Sequence, residues 1–275
     1  MGGKIKKISL VFVLLLFFGF NSGYCNSVKQ LKLDRGLVFY NFKGSYRDKG
    51  YDIYILKIDP NYFSLTLLMS SRLNISPLSL RQWAKKYNLI AVINASMFWE
   101  DKRTSTGFMK NKDYINQRII NKKFRGFLVF NPNQKNIPKV DIIERGYTKN
   151  WDKLLNKYDT VIQNYRMIGE NRKNLWQMDT DSYSVSAIGI DRLNNVQFIF
   201  SYLPLSIHEL NNILLDLPIN IKSCIFTEGG NTSGMYIKYR DFEKDLHGYS
   251  RIDIFNQNPN KPEIPNVIGV IKKIN

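Results

Sequence analysis

Glu228 closes an apolar run at 221–226 and is followed at once by Gly229 and Gly230. A carboxylate buried at a strand end costs several kcal/mol of desolvation unless something pairs with it or hydrogen-bonds to it. Glu228 is therefore either a well-paired structural acid or a functional one. The Gly-Gly step removes two Cβ atoms beside it and admits positive φ, so a ligand can approach the main chain and its N–H groups. That suits a phosphate or a sugar hydroxyl, and it equally suits a tight hairpin joining 221–226 to 235–239. The same arrangement recurs at Asn94-Ala95-Ser96-Met97-Phe98, which follows the apolar run 89–93. Asn94 can donate to and accept from a sugar hydroxyl, or it can tie down its own turn.

The elements that must position these groups read as follows. β-branched and aromatic residues concentrate at 51–58, 63–68, 89–93, 126–130, 185–190, 196–202, 221–226, 235–239 and 267–271, which predicts strands. Ser76-Pro77 predicts an N-cap and first helical position, leading a helix that buries Leu80, Trp83, Ala84 and Tyr87. Ser206 with Glu209 has capping-box spacing, and Leu210, Ile213 and Leu214 form the stripe of a second helix. Each helix leads into an apolar, parallel-looking strand with a polar end, where α/β architectures gather ligand groups. The expected fold is α+β: a mixed twisted β-sheet core with a few short flanking helices, arranged as two similar strand-helix halves without a sequence repeat. Residues 26–275 read as one domain, since neither 131–139 nor 256–265 is long enough for a linker.

Lys4, Lys6 and Lys7, an apolar run at 10–18 and small polar residues at 21–23 predict a secretory signal peptide over 1–25. The run is shorter than the roughly 20 residues a spanning helix needs, so no transmembrane helix is expected in the mature chain. Export to a periplasm or the medium follows, with lipidation of Cys25 as the competing idea. Cleavage after Cys25 would leave Cys224 alone, so the core and not a disulfide must hold the domain. The formal charge is +17, which favours an anionic envelope surface or anionic ligands. The lysines are scattered, and no nucleic-acid-binding motif accompanies them. His208 and His247 are far apart and no Cys cluster exists, so no metal or other cofactor is expected, an oxygen-ligand Ca²⁺ site being left open. His208, early in the second helix, is read as facing solvent. No G-x-S-x-G elbow supports a serine hydrolase.

Five segments in order carry a resemblance: AVINASMFWEDKRTSTGFMKN (91–111), VIQNYRMI (161–168), YSVSAIGID (183–191), LSIHELNNILLDLPI (205–219) and IFTEGGNTSGMYI (225–237). Together they resemble the phosphodiester glycosidase family, found in the lysosomal uncovering enzyme and in many exported bacterial proteins, over about 38–272. The resemblance implies hydrolysis between a sugar anomeric carbon and a phosphodiester oxygen, with a glycan or sugar phosphate as substrate. It implies Glu228 as the key carboxylate, Asn94 and Gln163 orienting the sugar, Arg166 holding phosphoryl oxygens, the amides of Gly229 and Gly230 cradling an anion, and Asn231 next to them binding substrate. Asp101, just past the first strand end, is the expected second carboxylate, with Glu100, Glu170 and Asp191 as alternatives. The chain departs from the family at Ser96, where glycine is usual, at Val185, where many members carry arginine, and at Glu228 and Asn231-Thr232 within the turn. The rival reading is a glycan-binding or envelope-assembly protein of the same fold without turnover.

Overall fold

The computed structural model describes residues 25–169, 171–249 and 261–273. Residues 1–24 of the predicted signal peptide and Glu170 thus lie outside the described residues, while Cys25, its expected last residue, opens the first strand. In chain order the strands are β1 (Cys25–Asp34), β2 (Leu37–Tyr46), β3 (Lys49–Ile58), β4 (Phe63–Met69), β5 (Ala91–Asn94), β6 (Met109–Asn111), β7 (Tyr114–Gln117), β8 (Gly126–Pro132) and β9 (Val140–Glu144). They continue as β10 (Tyr158–Asn164), β11 (Arg166–Ile168), β12 (Tyr183–Asp191), β13 (Val196–Leu205), β14 (Ile221–Gly229), β15 (Gly234–Tyr239), β16 (Phe242–His247) and β17 (Asn266–Lys272). The helices are α1 (Ser70–Leu73), α2 (Leu80–Tyr87), α3 (Trp151–Leu155) and α4 (Ile207–Asp216).

The strands form three sheets, in the orders β1-β2-β3-β13-β12-β14-β11, β7-β6-β10-β8-β9 and β16-β15-β5-β17-β4. The inner faces of all three meet in a central core that includes Leu37, Phe39, Phe198, Phe63, Ile268, Leu128 and Ile162. Each outer face carries one helix. α4 covers the first sheet at Ile55, Ala187 and Cys224, α3 the second at Phe127 and Val161, and α2 the third at Val92 and Tyr236. Trp83 of α2 is fully buried, and its indole N–H donates to the Ile264 carbonyl at 2.7 Å. Truncating it to alanine would cost about 3–5 kcal/mol.

Short helices on a β core are as expected, but the sheet itself differs from the prediction. Every ladder between named strands is antiparallel among the described residues. β5 and β14, the two parallel-looking strands, belong to different sheets. Their continuous apolar character has another cause: Val92 faces α2 while Ile93 faces the central core. A strand buried on both faces reads as an unbroken run whatever its partner's direction. The first long helix starts three residues later than Ser76-Pro77 indicated. Ser79 accepts from the Gln82 N–H and Gln82 reaches back to the Ser79 N–H, a full capping box, while Leu78 bridges to Ile264 in extended conformation. The Ser206 and Glu209 box of α4 forms as predicted.

Candidate active site

A β-bulge sets the direction of Glu228. Ala187 of β12 lies opposite Phe226, and Ser186 lies opposite Glu228, so Thr227 is the extra residue of β14. Directly opposed residues share a face, and one inserted residue reverses the alternation beyond it. Phe226 therefore packs with the α4 core, while Glu228 falls on the Ser186 face, where the first sheet meets β5 and β15. Glu228 is 8% exposed. Its Oε1 accepts the Gly229 N–H at 3.0 Å, and no cation among the described residues forms a salt bridge with it. Burial pushes its pKa up to about 7, opposed only in part by the Gly229 amide and the Thr232 hydroxyl. A carboxyl with this balance sits near its titration midpoint at neutral pH, where proton transfer in either direction is easiest.

The two glycines have different reasons to be there. A Cβ on Gly229 would lie 2.7 Å from the Tyr183 ring and 3.2 Å from Phe226. Gly230 has φ +71°, and a Cβ there would meet nothing within 4 Å among the described residues. One glycine lets an aromatic wall come against the backbone, and the other makes a left-handed turn toward open space.

Asn94 ties this turn to β5. Fully buried, it donates from Nδ2 to the Thr232 carbonyl at 2.9 Å and accepts at Oδ1 from the Gly234 N–H at 2.9 Å and from the Ser186 hydroxyl at 3.2 Å. Ser96 bonds the Ser105 hydroxyl at 2.9 Å. From the far side, Gly248 donates its N–H to the Ser233 carbonyl at 2.8 Å. The turn 229–234 is thus held from both flanks, and Glu228, Gly229, Gly230, Asn94 and the exposed Asn231 are brought together.

The other predicted residues are engaged elsewhere. Gln163 is fully buried. Its Oε1 accepts the N–H groups of Phe108 and Asn121 at 3.0 and 2.9 Å, and its Nε2 donates to the carbonyls of Asn121 and Phe124 at 2.8 Å. Arg166 holds the buried carboxylate of Glu144 at 2.6 Å. Asp101 is exposed and accepts the Arg103 and Thr104 N–H groups at 2.9 Å. The Thr104 hydroxyl and then its amide hold the Asp101 carboxyl below its ordinary range. Glu100 is exposed as well. Asp191 pairs with Lys57 at 2.9 Å. His208 is half-buried and not solvent-facing: its Nδ1 lies 2.8 Å from the Trp176 carbonyl, because the loop carrying Trp176 packs back onto α4. Among the described residues no His, Cys, Asp or Glu groups gather in metal-binding number.

An aromatic wall backing the glycine turn, on the α4 side of β14, went unread in the sequence. Tyr183 and Phe226 flank Gly229, and the chain of rings continues from Phe226 to Trp176 at 6.2 Å, Trp176 to Tyr165 at 5.4 Å and Tyr165 to Phe124 at 4.2 Å. Burial, then the carboxylates of Asp179, Asp181 and Glu228, push Tyr183 up to about 12. Only the YSVSAIGID segment hinted at this wall. Spacing gives no means of joining Phe124 to Phe226; the backbone bond from the Phe226 N–H to the Tyr165 carbonyl does so.

The fold is an antiparallel three-sheet one with a buried carboxylate on a glycine turn, and the sequence assigns its class. The chain belongs to the phosphodiester glycosidase family, whose profile matches residues 87–271. Two solved structures share the fold at low identity. One is the catalytic domain of zebrafish N-acetylglucosamine-1-phosphodiester alpha-N-acetylglucosaminidase, auto-inhibited by its pro-peptide, with TM-score 0.62 and 12% identity over 90% of this chain and 88% of that one. The other is a hypothetical protein from Synechocystis, with TM-score 0.63 and 13% identity over 90% of this chain; the match spans 64% of that protein. No curated protein sequence gives a significant match. No helix among the described residues is long and apolar enough to cross a membrane.

Proposed function

We propose that this protein is an exported glycosidase-type hydrolase that cleaves a sugar-1-phosphodiester, with Glu228 as its central carboxylate. The observation that carries this reading is a buried acid with no cation partner among the described residues, raised to about 7, on a turn where a Cβ at Gly230 would meet no described atom. Breaking the bond between the anomeric carbon and the phosphodiester oxygen passes through an oxocarbenium-like transition state. Glu228 faces that carbon as nucleophile, base or charge stabiliser. The phosphodiester leaves with little need of protonation. Asp101, held ionised by its own turn, is the second carboxylate, so one acid is poised to exchange a proton and the other stays charged.

Asn94 and Gln163 serve in this reading by position. Asn94 fixes the turn carrying Glu228, and Gln163 fixes the loop 106–124. Arg166 reaches phosphoryl oxygens with guanidinium N–H groups other than the one given to Glu144. Gly229 spends its amide on Glu228, leaving main-chain contacts with substrate to Gly230 and Asn231.

The deciding experiment is release of free N-acetylglucosamine and nitrophenyl phosphate from a nitrophenyl phosphodiester of N-acetylglucosamine-1-phosphate, with the nitrophenyl phosphate read as nitrophenolate after added phosphatase. Wild-type turnover that drops about 10²- to 10⁴-fold in Glu228→Gln supports the assignment. The glycan-binding reading has one observation in its favour: Val185, where many family members carry arginine, is fully buried among apolar side chains. Saturable glycan binding without release, unchanged in Glu228→Gln, would replace the enzyme by a binding module.

A further inference from the structure

A hollow of about 460 Å³, remote from Glu228 in its lining, opens where the free edge of β4 faces the end of β6. That volume falls in the range of small-ligand sites, roughly 300–1,000 Å³. The partly exposed Leu68 and Leu73 give it an apolar side, with Leu67 and Met69 enclosed in the core behind them, and Arg72 and Lys112 bring two cations to it. Its polar base is pre-set: Asn111 donates to the Leu67 carbonyl at 2.9 Å and accepts from the buried Thr160 hydroxyl at 3.2 Å, to which Asn131 donates at 3.3 Å.

The charge in this hollow is barely compensated. Arg72 donates to the Asn111 carbonyl at 3.3 Å, and its ion-pair partner is Asp113 at 3.7 Å, a carboxylate whose side chain is 91% exposed. An exposed pair at that distance contributes almost nothing and is easily exchanged. Lys112 sits in the left-handed conformation at the β6–β7 hairpin, with φ 56°, and its backbone N–H is anchored to the Asp159 carbonyl at 2.7 Å. It has no salt bridge among the described residues. A guanidinium and an ammonium above an apolar, amide-lined base form an amphipathic receptor for an anion: the fork reads the head group and the leucines take the body.

We propose that this hollow is a second binding site, for a small organic anion with a phosphate or carboxylate head on a compact body. The proposal does not depend on the catalytic reading, since no lining residue belongs to the Glu228 turn.

Calorimetric titration of the full protein with phenyl phosphate, benzoate and phenol tests it. One anion at least should bind 1:1, more weakly as salt is raised, with phenol giving no heat at the same concentrations. Glu228→Gln should leave this binding unchanged, and Arg72→Met, which keeps an apolar stem, should weaken it about tenfold. The tighter of phenyl phosphate and benzoate names the head group. As a measurement independent of any variant, the side-chain amide resonances of Asn111 and Asn131 should shift on titration. Absence of binding by either anion, binding untouched by Arg72→Met, or binding abolished by Glu228→Gln would each overturn the site, and only the last would place the anion at the catalytic turn.

Discussion

Asp191 and Glu228 are both acids at the ends of neighbouring strands of one sheet, yet their surroundings are opposite. Asp191 is fully buried and fully answered. Lys57 lies 2.9 Å away, the Leu193 and Asn195 N–H groups donate to it at 2.8 Å, and the Asn195 side-chain amide reaches both oxygens. Glu228 is nearly as buried but receives the N–H of the next residue and, among the described residues, no cation. The comparison separates burial from compensation. A buried carboxylate with every lone pair engaged is structural, whereas one left to desolvation keeps a proton available at neutral pH, as reacting groups require.

The comparison can be broken first by exchanging charge for an isostere. Glu228→Gln should lower turnover of the sugar phosphodiester by about 10²- to 10⁴-fold while the protein stays folded. Asp191→Ala should do the reverse, costing about 3 kcal/mol by stranding Lys57 and the Asn195 amides, as urea denaturation would register. Equal loss of stability in both would erase the distinction drawn here.

The pH dependence sharpens it. Glu228 titrates near 4.5 in the unfolded chain and at about 7 in the folded one, so between those values the folded state holds the extra proton. Its contribution is complete below pH 4.5 and is lost as pH rises through 7, a change of about 3 kcal/mol by linkage. Unfolding free energy of the wild type minus that of Glu228→Gln, followed from pH 5 to 8, should fall with pH. A flat difference would mean that the carboxyl is not desolvated. Smaller effects belong to the glycines. Gly229→Ala must displace the Tyr183 ring, for a cost of about 1–3 kcal/mol. Gly230→Ala meets no atom and should cost about 1–2 kcal/mol through its left-handed backbone alone. Chemical denaturation of the two variants would order them.

Much of the local structure was legible. Phe63, Leu65, Leu67 and Met69 alternate inward along β4, and the Ser206–Glu209 capping box forms where its spacing indicated. Less legible were strands whose residues carry little pattern. β1 is exposed along most of its length and is held by its ladder with β2. β10 is almost wholly buried although it carries Gln163 and Asn164, because those side chains find backbone partners contributed by distant segments. Polar residues satisfied in that way do not announce a core strand.

By itself, the sequence determined the family, the apolar runs, the helix caps and the presence of an acid on a Gly-Gly turn, since each depends on residues close together in the chain. Tertiary structure alone decided which of these acids is left without a cation among the described residues. Lys57 reaches Asp191 from β3, and a one-residue bulge between β12 and β14 turns Glu228 away from the α4 core. Pairing register and desolvation are properties of packed sheets, and no spacing along the chain encodes them.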